Sequence, residues 1–190
     1  MIRLLALIAV LLPTAALAHP GHDAAGLVAG LQHPVSGLDH IAVMIAVGLW
    51  AALAGGRALW LWPATFVAVM LAGGALGMAH VALPLVEPGI LASVVVLGLM
   101  VALAIELPVA AGAALVGVFA LFHGYAHGAE APEAASGVTY LLGFAATTAA
   151  LHAVGIGLAL TLTSARARPL VRVAGAACVA VGLGLVSGLI

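Results

Sequence analysis

The chain has 190 residues, 66% of them hydrophobic and only 6% charged, with a formal net charge of −1. A soluble domain carries about 25% charged residues, so this composition cannot cover a water-exposed surface, and the lack of any basic patch excludes a nucleic-acid partner. What remains is an all-α polytopic membrane protein, and the 24 glycines fit closely packed membrane helices. A single cysteine, Cys178, excludes an internal disulfide and a thiolate-rich metal site.

Residues 1–18 read as a secretory signal peptide: Arg3, then a short apolar run from Leu4 to Leu12, then Ala16-Leu17-Ala18 as an A-x-A cleavage site. The competing reading, a first transmembrane helix, needs ~20 apolar residues, and Pro13 interrupts the run. Cleavage leaves a mature chain, 19–190, that begins His19-Pro20-Gly21-His22-Asp23 outside the cytoplasm.

Six spans follow, punctuated by Gly, Pro and charge. Span 1 covers about 38–54 and ends at Gly55-Gly56-Arg57. Span 2 covers about 59–83, before Pro84 and Glu87-Pro88, and span 3 about 89–107. Pro108 opens span 4, about 108–128, and a polar stretch with Glu130 and Glu133 follows. Span 5 covers about 137–163, and Arg166 and Arg168 precede span 6 at about 169–190. Trp60 and Trp62 are expected as interfacial anchors, and Gly73-x-x-x-Gly77 as a close helix contact. With the N-terminus outside, Arg57, Arg166 and Arg168 fall inside, and Asp23, Glu87, Glu130 and Glu133 fall outside. That is the positive-inside pattern of a cytoplasmic-membrane protein.

Eight histidines outnumber the five arginines and the six acidic residues, and ionisable groups in a span usually face an interior or a cavity. His33, Asp39 and His40 stand at the outer start of span 1, and His80 near the outer end of span 2. His123 and His127 stand near the outer end of span 4, with Glu130 just beyond. These two histidines, at i and i+4, share a helix face and can grip one ion. His152 lies about 23 Å into span 5, toward the inner side. Glu106, beside Pro108, reads as an interfacial residue. Ser36-Gly37-Leu38-Asp39 also reads as a capping box, so a cap and a ligand compete as roles for Asp39. His80 reads equally as an interfacial side chain. A mixed imidazole–carboxylate set without thiolate argues against Cu(I) and leaves Ni²⁺, Co²⁺ and Zn²⁺ open.

Two segments carry a family resemblance. His33-Pro34-Val35-Ser36-Gly37-Leu38-Asp39-His40 resembles the H-x5-D-H motif of the HupE/UreJ family, and Phe122-His123-Gly124-Tyr125-Ala126-His127-Gly128-Ala129-Glu130 resembles its F-H-G-x-[A/V]-H-G-x-E motif. The family is similar in role to secondary nickel or cobalt permeases that feed hydrogenase or urease maturation. The resemblance implies nickel as cargo and His33, Asp39, His40, His123, His127 and Glu130 as site residues; no permanently bound cofactor is expected. The expected function is therefore metal uptake and not enzymatic catalysis; the chain has no G-x-x-x-x-G-K-[ST] loop for ATP and no serine in a rhomboid G-x-S-G context. A metal-binding subunit that needs a separate ATPase and a haem carrier with axial histidines are the rival readings. Besides the metal ion and the bilayer, a second copy of the chain is a possible partner.

Overall fold

The computed structural model describes residues 21–131, 137–162 and 168–189, which form helices joined by short turns, without a strand. The helices are α1 (Gly21–Gln32), α2 (Leu38–Ala54), α3 (Ala58–Met78), α4 (Val86–Ala102), α5 (Val109–Ala129), α6 (Gly137–Thr161) and α7 (Arg168–Ser187), with a 3-10 turn at His33–Val35. The expected signal peptide lies outside the described residues.

Among the described residues, four helices, α3, α5, α6 and α7, are long and apolar enough to cross a membrane, and the segment Gly26–Val35 taken with α2 makes a fifth candidate, bent by 79°. The chain is a multi-pass membrane protein. Its α4 is apolar but has only 17 residues.

Several expected boundaries need correction. Span 2 was expected to reach residue 83, but α3 stops at Met78, where His80 takes a left-handed φ of 52°. Pro84 then disfavours helix in the residue before it. Span 3 was expected over 89–107, but α4 runs from Val86 to Ala102, and Ala104 turns left-handed at φ 50° ahead of Pro108. Span 6 was expected to reach residue 190, but α7 ends at Ser187, and Gly188 at φ 67° closes it. The expected capping box does not form. Gly37 is the extended residue before α2, and the Ser36 hydroxyl instead donates to the His33 carbonyl at 2.6 Å. Helix α1 was not expected at all. Its glycines have low helix propensity, and tertiary contact compensates. Gly30 packs against the backbone of α6 at Tyr140, and Gly143 of α6 packs against α1 at Leu27 and Leu31.

The bundle is built from close helix pairs: α3 on α5, α4 on α7, and both α1 and α2 on α6. Glycine at each seam permits the approach. Gly48 and Gly155 meet between α2 and α6, and Gly98 and Gly175 between α4 and α7. The Gly73-x-x-x-Gly77 pair lies on α5 as expected, at Leu121 and Tyr125. In a bilayer, where lipid is as apolar as leucine, such van der Waals contact drives helix association.

The opposite end of the bundle from the histidines is closed by aromatics. Trp62 is fully buried and not an interfacial anchor, whereas Trp60 is exposed. The Trp62 ring lies 4.2 Å from that of Trp50. Its indole donates to the Val109 carbonyl at 2.9 Å, and that of Trp50 to the Ile105 carbonyl at 2.8 Å. Buried indoles need such partners. Beside them a cavity of about 250 Å³ is lined by Glu106, Arg168 and Arg172 among others.

Candidate metal centre

Helix α2 places its histidine by where it starts. The Pro34 turn and Gly37 bend the chain, so the first turn of α2 points its third residue, His40, into the bundle. The Asp39 carboxylate accepts the backbone N–H of His40 at 2.8 Å, a favourable place for negative charge at a helix N-terminus. On α5, His123 and His127 share one face, as their spacing requires. The residue after each is glycine. Gly124 lies on the Met70 backbone and Gly128 on that of Gly74, so α3 sits directly against α5 beside the two imidazoles.

The result is a buried three-histidine group. His127 Nε2 lies 2.9 Å and His123 Nδ1 3.2 Å from His40 Nδ1. One ligand nitrogen from each lies within 4.8 Å of the others. An ion held by imidazole at about 2.1 Å separates its ligand atoms by roughly 3–3.5 Å, and the two distances from His40 already match that spacing. His40 and His123 are almost wholly buried, and His127 partly so. Among the described residues, four buried imidazole nitrogens have no hydrogen-bond partner: Nε2 of His40, Nδ1 of His127 and both nitrogens of His152. Orphaned buried polar atoms of this kind ask for a ligand or water.

A second group lies nearer the surface. His33 Nε2 donates to Glu130 Oε2 at 3.2 Å, and His33, Glu130 and His127 form a further possible ligand set. His127 belongs to both sets. The ring of His33 meets that of His127 edge-on at 4.6 Å.

Of the expected site residues, the structure brings together His33, His40, His123, His127 and Glu130. Asp39 adjoins them but belongs to neither ligand set, and its Oδ1 is engaged by the His40 backbone. His80 is exposed, beyond the end of α3, and belongs to neither set. His152 is buried deeper, with the Phe66 ring between: Phe66 lies 5.2 Å from His152 and 6.0 Å from His123. His152 also lines a cavity of about 470 Å³ between α3 and α6. His80→Ala is expected to leave metal binding unchanged and to lower stability by about 1 kcal/mol, because alanine is less at home than histidine at the left-handed φ of 52°. Metal titration of the purified variant checks this, and weakened binding would place His80 in the site.

Sequence reasoning missed four neighbours. Ser93 of α4 lies 2.8 Å from His123 Nε2. Phe144 covers His127 at 4.6 Å and His40 at 5.1 Å, and the Tyr140 hydroxyl donates to the His127 carbonyl at 3.2 Å. Phe66 is the fourth. The available signals were a lone hydroxyl within apolar α4, and Tyr140 and Phe144 at i and i+4 on one face of α6.

The family model described as HupE / UreJ protein matches residues 6–185. The chain belongs to the HupE/UreJ family. It is 47% identical over 182 residues to Protein HupE of Rhizobium leguminosarum bv. viciae, an alignment that covers 96% of this chain and 95% of the relative. No solved structure matches. Both histidine segments lie within the family match.

Proposed function

We propose that this chain is a secondary permease that carries a divalent transition metal, nickel foremost with cobalt or zinc as alternatives, across the cytoplasmic membrane for metalloenzyme maturation. The observation that carries the reading is the three-imidazole group inside a multi-pass membrane protein, coupled through His127 to an outer set that includes Glu130. Outer capture at His33 and Glu130 is followed by transfer to His40 and His123, with His127 common to both stations. His152, beyond Phe66, is the next imidazole on the inward side. Asp39 adds negative charge beside the cation and orders the turn that presents His40. Neutral imidazoles suit conduction, because a site must bind firmly enough to replace water and weakly enough to release.

Six spans complete the reading. Helices α2 and α4, with 17 residues each, extend about 26 Å at 1.5 Å per residue, at the short end of spanning length. A cleaved leader at 1–18 puts the mature N-terminus and the metal centre outside and the arginines inside. The haem alternative gains no support: imidazole nitrogens 2.9 and 3.2 Å apart leave no slot for a porphyrin plane between them.

Purified protein in vesicles with an internal metal indicator tests the proposal. Ni²⁺ is expected to enter without ATP or a second protein, and external Co²⁺ and Zn²⁺ to compete in proportion to their affinity. Entry no faster than in protein-free vesicles would reject a self-sufficient permease and favour the subunit that needs an ATPase.

A further inference from the structure

We propose that Ser93 is a positioning residue that locks His123 in the tautomer whose Nδ1 lone pair faces the metal, which makes His123 the fixed ligand of a site whose other imidazoles are free to let go. The inference deepens the permease reading and rests on it for the role of the metal, though not for the tautomer.

Hydrogen counting decides the direction of each bond. The Ser93 hydroxyl lies 2.5 Å from the Ile90 carbonyl and 2.8 Å from His123 Nε2. A carbonyl only accepts, and a serine has one hydrogen to give. At 2.5 Å two oxygen lone pairs would repel, so the hydroxyl hydrogen goes to Ile90, one turn back on α4. Such back-bonding is a regular habit of serine within helices. The oxygen is then an acceptor toward His123, and Nε2 must carry the hydrogen. A neutral imidazole with Nε2–H has its lone pair on Nδ1, and His123 Nδ1 is the atom that faces His40 Nδ1 at 3.2 Å. Ser93 and His123 are both fully buried, so water does not compete for this chain of bonds.

The other two members of the group differ. His40 Nε2 and His127 Nδ1, the atoms turned away from the shared centre, have no partner. No group outside the centre holds their tautomer. Metal-ligating histidines usually donate their second nitrogen to a fixed acceptor, which orients the ring and strengthens the ligand. Here one ligand of three has that support. Such asymmetry suits a transport site, where one anchored nitrogen keeps the ion in register and weaker ligands release it.

Nitrogen NMR of histidine-labelled, metal-free protein reads the tautomer directly, with the His123 signal identified by its loss in His123→Gln. The expected result is Nε2–H in the wild type and in Ser93→Thr, which keeps a hydroxyl able to bond the preceding turn, and loss of that preference in Ser93→Ala. Nδ1–H in the wild type would overturn the proposal, and that spectrum requires no change at position 93. Co²⁺ binding followed by ligand-field absorption is expected to weaken about 10-fold or more in Ser93→Ala, the range for outer-shell partners, and to be restored in Ser93→Thr. If His123→Gln abolishes Co²⁺ binding while Ser93→Ala binds like wild type, this proposal alone fails. If His123→Gln binds Co²⁺ like wild type, the metal reading fails with it.

Discussion

Alanine at His127 is expected to reduce metal uptake by at least about 100-fold, beyond the roughly 10–100-fold typical of outer-shell partners, and further than any other single change in the centre. The reason is its double membership. His127 is the one residue found both in the buried set with His40 and His123 and in the outer set with His33 and Glu130. His33→Ala leaves the buried set whole and should lower uptake only at limiting metal. His123→Ala leaves the outer set whole but breaks the inner one, so it should fall between. The double change of His123 and His127 should add little to His127→Ala, because groups that act on one ion are not additive. Initial uptake rates, normalised to the amount of each variant in the membrane, give the order. If His127→Ala transports as well as His33→Ala, the two sets do not share a ligand in function.

The second large effect concerns a residue with no ligand atom. A methyl group on Gly124 would lie 2.7 Å from the Met70 carbonyl carbon and 2.8 Å from its Cα, and closer still to its oxygen. These are backbone atoms and cannot rotate away, so α3 must move off α5. Ordinary overpacking costs about 1–3 kcal/mol, and a helix pair pushed apart along a glycine seam should exceed that. Gly124→Ala is therefore expected to lower thermal stability in detergent sharply. It should also weaken metal binding, because the displaced seam runs between His123 and His127. Gly117→Ala on the same helix is the control. Its methyl would find Thr65 Cγ2 at 3.6 Å and Val69 Cγ2 at 3.7 Å, which is ordinary contact, and removing a mid-helix glycine gains about 0.5–1 kcal/mol. Equal stability of the two variants would contradict the close packing of α3 on α5.

Much of this protein was legible in its residues. With 6% charge and 66% hydrophobic side chains, nothing but lipid suits the outer surface, so a helical membrane protein follows from composition. The spacing of His123 and His127 fixes their common face, because 3.6 residues make a turn whatever surrounds them. The resemblance in two motifs carried the family, and the match over residues 6–185 bears it out.

Other features depended on the third dimension. Helix ends moved by up to five residues where left-handed turns at His80 and Ala104 stopped the chain early, since an apolar run does not reveal whether its last residues are helix or turn. Helix α1 forms because Gly30 and Gly143 let two backbones meet, a pairing between residues 113 positions apart that no local propensity records. Trp62 became core and Trp60 surface, although both are equally apolar in sequence. The centre itself is of this kind. Its distances join α2 to α5, and its support comes from Ser93 on α4 and Phe144 on α6. A sequence fixes which ligand atoms each helix can present, through periodicity and side-chain chemistry. Which helices face one another, and so which nitrogens converge on one ion and which stand apart as His80 does, is decided only when the glycine seams close.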